Sequence, residues 1–234
     1  MSIQRTIQVK GIPMIKFQSE DKIDYLRKGK IYLKSLAYYR KREKDTGDDT
    51  VGDLFEAMVH ANDGYILIPE LGIHEKLTDA LIETSFSNCF VFCMLSLKDA
   101  SKTFQFSDEQ KEKIMGFGDT ALLITDRNAF LHRVAVALDR DGIKGYHGFI
   151  NYYDETKDHV KYWASLIKNG INHVAFWKRE RYAYQQEYRF LIEPPATEND
   201  YYELDIGDIS DISVVLSAKE ALNAMALPAN GSTD

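Results

Sequence analysis

The sequence predicts an α+β fold with a mixed or split β-sheet core and short helices. Predicted strands and helices are interleaved without the regular alternation of a doubly wound parallel sheet. The 234 residues include 44% hydrophobic side chains, which is enough for one sizeable core. The nearly continuous apolar run CFVFCMLSL is typical of a buried central strand. We therefore expect one compact domain over residues 1–227, followed by a flexible tail at 228–234.

Local patterns assign the elements of the N-terminal half. Alternation and aromatic content indicate strands, whereas helical periodicity and capping residues indicate helices. Gly29 is expected to end the first helix, because glycine readily adopts the backbone conformation that follows a helix. In chain order we predict a strand in PMIKFQS, a helix in EDKIDYLRKGK, a strand in IYLKSLAYYR, a charged loop in KREKDTGDDTVGDLFEA, a strand in DGYILIPE and a helix in HEKLTDALIETSF. The charged loop is the best candidate for a mobile active-site segment.

The C-terminal half follows the same logic. Ser107 and Asp126 are expected to cap helices, because their side chains can accept bonds from the first backbone N–H groups. In chain order we predict a strand in CFVFCMLSL, a helix in SDEQKEKIMGFG, a strand in TALLIT, a helix in DRNAFLHRVAVAL, a strand in GFINYYD, a helix in DHVKYWASLIKNG, strands in YQQEYRFLIE and DISVVLS, and a helix in AKEALNAM.

The composition limits the functions that are compatible with the chain. A net charge of −7 and a pI of about 5.4 argue against general coating of nucleic acid. No apolar segment approaches the roughly 20 residues that span a bilayer, and the N-terminal residues lack a signal-peptide pattern. We expect a soluble, cytoplasmic protein without a membrane partner. Cys89 and Cys93 are too few to form a zinc site and are predicted to be buried thiols.

Familiar nucleotide and metal motifs are absent from the sequence. There is no GxxxxGK[ST], GxGxxG, HExxH or GxSxG pattern. The run DTGDDTVGD offers Asp45, Asp48, Asp49 and Asp53 to a divalent metal, but its spacing does not fit a calcium-binding loop. We interpret this run as a solvated loop and predict no metal site, although metal-dependent nuclease carboxylates stay an alternative.

The segment YAYQQEYRFLIE, residues 182–193, is predicted to be a strand with two different faces. One face would carry Gln185, Glu187, Arg189 and Leu191, since alternate side chains share a face. This face could be a solvated Glu–Arg pair. Alternatively, Glu187 could stabilise an oxocarbenium-like centre in glycosyl transfer, with Gln185 about 7 Å away orienting an acceptor. Arg189 would then keep Glu187 ionised.

Basic and aromatic residues are concentrated between Arg27 and Lys44. Basic groups neutralise phosphates and aromatic faces stack on bases, so this stretch could form a groove for a nucleotide or nucleic acid. A solvated helix and strand end would show the same composition. The residues are Arg27, Lys28, Lys30, Tyr32, Lys34, Tyr38, Tyr39, Arg40, Lys41, Arg42 and Lys44.

The Q-x-E pattern at Gln185 and Glu187 resembles the catalytic signature of the ADP-ribosyltransferase superfamily. The opening order of strand, helix and strand in MIKFQS, EDKIDYLRKGK and IYLKSLAYYR is similar to the start of that fold. The resemblance implies an ADP-ribosyltransferase-like fold with NAD as co-substrate. It implies that Glu187 contacts the nicotinamide-side ribose and that Gln185 positions the acceptor.

The same resemblance implies the residues that would bind NAD. Tyr38 or Tyr39 would stack on nicotinamide, and the basic stretch would contact the pyrophosphate. Lys16 and Phe17 stand where the family often places His or Arg for the adenosine ribose, which is a departure from its pattern. The expected cofactor-binding residues are Lys16, Tyr38, Tyr39, Arg40 and Arg189.

The chain also resembles a large set of bacterial proteins of unassigned function, some found in phage-defence loci. The similarity rests on YLRKGKIYLKSLAYYR, CFVFCMLSL and WKRERYAYQQEYRF. It implies a toxin or effector that modifies a macromolecule, with RNA or other nucleic acid slightly favoured over protein, and with a possible antitoxin. The alternatives are a metal-dependent nuclease using Glu187 and the aspartates around 45–53, a non-enzymatic sensor of a nucleotide or phage protein, and an NAD hydrolase.

Overall fold

The structure, a computed structural model, describes residues 7–47, 53–98, 106–154, 157–193 and 199–225. Contacts divide the chain into two compact units. Unit 1 comprises Met1–Lys34, Phe90–Ile150 and Arg181–Asp234, and unit 2 comprises Ser35–Cys89 and Asn151–Glu180. Both units are discontinuous in sequence, so they are not successive domains. A single domain over 1–227 stays a prediction, and the predicted tail, 228–234, lies outside the described residues.

Unit 1 is built on a large antiparallel sheet. Its strands are β1 (Met14–Gln18), β2 (Lys30–Ser35), β5 (Phe90–Leu95), β6 (Thr120–Ile124), β7 (Gly145–Phe149), β10 (Glu187–Ile192), β11 (Tyr201–Asp205) and β12 (Ser213–Ser217). The strand order is β11-β2-β5-β1-β6-β12, and β10 pairs with both β5 and β7.

Helices cover both faces of this sheet. The helices of unit 1 are α1 (Glu20–Arg27), α3 (Asp108–Met115), α4 (Arg127–Arg140) and α6 (Ala218–Met225). One apolar cluster joins alternate strand residues such as Phe92 and Phe190 to α1 and α4. A second cluster joins the opposite face, at Ile15 and Leu95, to α3 and α6. The two clusters follow from the two-residue period of the strands.

Unit 2 combines a long hairpin with two helices and a short strand pair. It contains α2 (Leu36–Thr46), β3 (Met58–Ile68), β4 (Ile73–Glu83), β8 (Asn151–Tyr153), α5 (His159–Asn169) and β9 (Trp177–Arg179). β3 and β4 pair antiparallel, whereas β8 and β9 pair in parallel. A small core of this unit contains Tyr162 and Trp177, whose rings meet edge to face at 5.5 Å.

The α+β class and most of the predicted elements are confirmed. Ser107 caps α3 and Asp126 caps α4, each accepting a backbone N–H bond three residues on. Gly29 follows α1 with a φ of 85°, and a Cβ there would lie 1.9 Å from the carbonyl oxygen of Gly207. Only glycine fits this turn, because both the backbone angle and the close approach exclude a side chain.

Four predicted elements differ from the structure. The strand predicted in GFINYYD is two strands, β7 and β8, which belong to different sheets. The strand predicted in IYLKSLAYYR stops at Ser35, whose hydroxyl accepts a bond from Tyr38 N and thereby starts α2. The helix predicted in HEKLTDALIETSF is largely strand β4, because pairing with β3 overrides local helical preference. The strand predicted over 182–193 begins only at Glu187, after a 3₁₀ turn over Glu180–Gln185. β11 was not predicted.

The charged loop predicted in KREKDTGDDTVGDLFEA is only partly described. Its first residues continue α2 to Thr46, and residues 48–52 lie outside the described ranges. Among the described residues, no helix is long and apolar enough to cross a membrane.

Candidate functional site

Glu187 opens β10, a strand that is buried along its whole length. β10 lies between β5 and β7, and Glu187 is opposite Leu95 in the β5 register. Its side chain is only 5% exposed, and that of Arg189 is 1% exposed. The solvated interpretation of this face is therefore wrong. A buried carboxylate is costly unless it is paired and hydrogen-bonded, so its partners define the site.

Two donors converge on one oxygen of Glu187. Arg189 Nε donates to Oε1 at 2.7 Å, and Cys93 Sγ donates to the same atom at 2.8 Å. Arg189 is opposite Cys93 in the strand pairing, and alternation places both on the same face as Glu187. The arrangement fixes the carboxylate between the two donors.

Lys16 on β1 lies on the other face of the sheet, where its amine is 4.6 Å from the centre of the Phe92 ring, but it also reaches the backbone of β5. β10 occupies one edge of β5 along its full length, so β2 and β1 share the other edge. β1 pairs with β5 only at Ile15, opposite Leu95. The amine of Lys16 donates to the backbone oxygen of Cys93 at 2.8 Å. Lys16 thus gives the backbone oxygen of Cys93 a charged donor.

Burial and the neighbouring charges perturb two of these groups in opposite directions. Burial lowers the pKa of Lys16, against the opposing effect of the negative charge of Glu187. Burial and the charge of Glu187 raise the pKa of the Cys93 thiol. Cys93 is therefore a protonated hydrogen-bond donor at neutral pH, and not an activated thiolate nucleophile.

The turn before β10 holds Gln185 and is conformationally constrained. Gln186 has a φ of 41°, which is unusual for a residue with a side chain. The backbone N–H of Gln186 and the side-chain amide of the same residue both donate to the backbone oxygen of Ala183. The backbone oxygen of Gln186 accepts from the backbone N–H of Ser96. Gln185 and Glu187 are therefore not successive residues on one strand face, contrary to the prediction. Gln185 instead contacts the hydroxyl of Tyr184 at 3.4 Å.

Tyr38, Tyr39 and Arg40 lie on α2 in unit 2, whereas Lys16, Gln185, Glu187 and Arg189 lie in unit 1. The rings of Tyr38 and Tyr39 meet edge to face at 5.4 Å. The guanidinium of Arg40 donates to the backbone oxygens of Glu56 and Ser87, and burial lowers its pKa. These bonds give Arg40 a structural role within unit 2.

Unit 2 contains a second set of buried charges, which was not predicted. Arg179 contacts Asp53 at 2.6 Å, and Lys178 contacts Glu56 at 3.6 Å. Both acids and Lys178 are only 4% exposed. Ala57, directly after Glu56, has a φ of 55°. The sequence signal was the run of charged residues in WKRE next to an apolar segment, which is equally typical of a solvated turn.

The residues of the nuclease alternative are only partly described. Asp45 lies on α2 and Asp53 pairs with Arg179, while Asp48 and Asp49 lie outside the described residues. Within the described ranges, no group of three or more histidine, cysteine, aspartate or glutamate side chains is placed to hold a metal ion.

Comparisons with known proteins give no significant match. No protein-family model matches the chain, and neither the curated proteins nor the solved structures contain a significant match. The functional argument therefore rests on the residues of the site.

Proposed function

We propose that this protein is an NAD-dependent ADP-ribosyltransferase in which the Glu187 carboxylate acts at the reacting ribose. The observation that carries the proposal is the fixation of Glu187 by Arg189 and Cys93 through one oxygen. A carboxylate held in a buried setting does not reorganise during a reaction, so it stabilises developing positive charge efficiently. This is the charge that forms when a glycosidic bond ionises.

The proposed reaction is a substitution at the ribose carbon that bears nicotinamide. The C–N bond breaks, and its electron pair leaves with neutral nicotinamide. An oxygen or nitrogen of the acceptor forms the new bond to that carbon and releases its proton to solvent. Glu187 stabilises the oxocarbenium-like centre between these two events, without itself forming a bond.

Other residues would bind or position groups. Contact of Lys16 with the anionic pyrophosphate of NAD stays a prediction, and its amine donates to the backbone oxygen of Cys93 and lies over the Phe92 ring. Arg189 is a positioning residue, because its guanidinium donates a hydrogen bond to Glu187 and so orients the carboxylate. Gln185 would direct the acceptor from the turn that precedes β10. Stacking of nicotinamide on Tyr38 or Tyr39 stays a prediction.

The acceptor is proposed to be a macromolecule, with nucleic acid slightly favoured over protein because of the basic and aromatic stretch from Arg27 to Lys44. A toxin or effector role in phage defence, a cytoplasmic location and restraint by an antitoxin belong to the same proposal. The toxin or effector role and the antitoxin follow from the resemblance described above.

Labelled NAD tests this proposal directly. Purified protein is incubated with NAD labelled in the adenosine part and with separate RNA, DNA and protein fractions, and nicotinamide release is followed in parallel. Wild type is expected to label one fraction, and Glu187→Gln is expected to lose about 100-fold or more of the rate, as when a charge-stabilising group is removed.

Glu193→Gln is the matched control. Glu193 follows the end of β10 and contacts Tyr146 and Lys144 at the surface, so the same substitution there should leave activity unchanged. Nicotinamide release without labelling would identify an NAD hydrolase. Cleavage of nucleic acid that a chelator abolishes would favour the nuclease, and saturable nucleotide binding without turnover would favour the sensor. Wild-type rates in folded Glu187→Gln would contradict the proposal.

A further inference from the structure

Unit 1 contains a cavity on the face of the sheet opposite to Glu187 and Arg189. It lies between α4 and the sheet and has a volume of about 310 Å³. On β10 the cavity is bordered by Phe190 and Ile192, which alternate with Glu187 and Arg189 on the opposite face. The volume is at the lower end of the roughly 300–1,000 Å³ typical of small-molecule sites.

The wall of the cavity is mostly apolar. Phe92 and Phe190 contribute aromatic rings whose centroids are 6.2 Å apart. Aliphatic side chains from β2, β11 and α4 complete the wall, namely Ile31, Leu33, Leu204, Leu131, Val134 and Leu138. A cavity of this volume has room for about ten groups of the size of water, since each occupies roughly 30 Å³. A chain of about eight carbon atoms therefore fits.

The exposed border of the cavity carries one charge. Asp139 is the only charged side chain among the described residues that line it, and it lies exposed near the end of α4. His147 on β7 also lines it, and burial together with the charge of Arg127 lowers the pKa of this histidine. The border is therefore anionic at neutral pH, with a neutral imidazole beside it.

We propose that this cavity binds a small amphipathic amine, with its apolar body against Phe92 and Phe190 and its cationic end at Asp139. The apolar wall supplies affinity through the area removed from water. The charge of Asp139 favours an amine over a neutral group and disfavours a carboxylate. This site is independent of NAD chemistry and goes beyond the proposed function.

Three probes with the same apolar body test the proposal. Octylamine, 1-octanol and octanoate, each below its aggregation concentration, are titrated into the full-length protein by calorimetry at neutral pH. Saturable binding at one site is expected for octylamine and octanol. Octanoate is expected to bind at least about fivefold more weakly than octylamine, which is the ratio that a modest charge effect produces.

Substitutions on α4 locate the site. Ala135 lines the cavity and is exposed, so Ala135→Phe should block entry and weaken all three probes by about tenfold or more. Val136 is the next residue, is 54% exposed and does not line the cavity, so Val136→Phe is the matched control and should leave binding unchanged. Asp139→Asn should bring octylamine to the affinity of octanol without abolishing either.

The outcomes separate the parts of the proposal. Circular dichroism and thermal unfolding of each variant first establish that it is folded. Absence of saturable binding to wild type would overturn the site. Tightest binding of octanoate, or binding that Ala135→Phe leaves intact, would overturn the assigned ligand chemistry or location. Because NAD is not used, these results stand apart from the test of Glu187.

Discussion

Each unit of this protein contains a buried glutamate paired with a buried cation, but the two arrangements differ. In unit 1, Glu187 and Arg189 are two residues apart on one strand, with their charged atoms 2.7 Å apart. In unit 2, Glu56 pairs with Lys178, which is distant in sequence, at 3.6 Å. Among the described residues, the only non-glycine residues with positive φ are Ala57 and Gln186, each next to one of these glutamates.

The difference concerns how the charges are balanced. In unit 2 the contacts of Arg179 with Asp53 and of Lys178 with Glu56 join two distant segments of the chain, which is a structural arrangement. In unit 1 one carboxylate is shared among Arg189, Cys93 and the electrostatic influence of Lys16. Lys16 and Cys93 are only partly buried. Perturbed, partly accessible groups are typical of functional sites.

Removing the guanidinium that pairs with Glu187 should produce the largest loss of stability. Arg189→Met leaves a carboxylate buried without its guanidinium, and the free energy of unfolding should fall by about 3–5 kcal/mol. Urea unfolding of wild type and variant at neutral pH measures this loss.

Lys178→Met is the counterpart in unit 2. Lys178→Met should lower the free energy of unfolding by less than Arg189→Met, because a charge pair at 3.6 Å is weaker than one at 2.7 Å. An equal or larger loss for Lys178→Met would remove the distinction between the two clusters.

Raising the pH should weaken unit 1 through Cys93. The pKa of this thiol lies above its ordinary value of 9.0 in the folded protein, so the folded state retains a proton that the unfolded chain releases. The corresponding stability is present below pH 9 and is lost as the pH rises above it, by up to about 1.4 kcal/mol per pH unit.

Cys93→Ala isolates this effect from the opposite contribution of Lys16. The lowered pKa of Lys16 makes stability rise with pH up to 10.5, in the variant as in wild type. The difference in unfolding free energy between wild type and Cys93→Ala, measured from pH 7 to 10, should therefore decrease above pH 9. A difference that stays constant with pH would show that Cys93 is not held protonated.

The backbone positions beside the glutamates should give the smallest effects. Gln186→Gly should change stability by less than about 1 kcal/mol, because the strain that glycine relieves is offset by the loss of the side-chain bond to Ala183 O. Ala57→Gly should also change stability little, since the gain is offset by about 0.8 kcal/mol for the lost buried methyl group. Thermal unfolding compares both variants. If Gln186 constrains Glu187 for function, Gln186→Gly should also lower the rate of NAD turnover, and destabilisation by more than the roughly 1.5 kcal/mol of the lost bond would contradict the strain.

Elements with local signals were predictable, whereas those decided by distant pairing were not. Capping serine and aspartate at Ser107 and Asp126 marked α3 and α4 correctly. Ser35 carries the same signal before α2, but the aromatic alternation around it favoured a strand. β4 has the composition of a helix and is a strand because β3 lies beside it.

The candidate site was predictable only in part. The proximity of Glu187 and Arg189 followed from their spacing, and the structure adds Lys16 near them. Cys93 was interpreted as core packing, because nothing in the sequence gives the register that places β5 beside β10. The positive φ of Gln186 is set by bonds to Ala183 and Ser96, so the break between Gln185 and Glu187 could not be predicted.

The most direct test separates the charge of Glu187 from its structural pairing. The double variant Glu187→Gln, Arg189→Met removes both buried charges, so it should lose less stability than Arg189→Met, which leaves the carboxylate unpaired. Nicotinamide release from NAD is then measured for wild type and for this variant, after thermal unfolding has established that both are folded. We expect release by wild type and none by the folded double variant. Release at the wild-type rate by the double variant would contradict the role of Glu187 in catalysis.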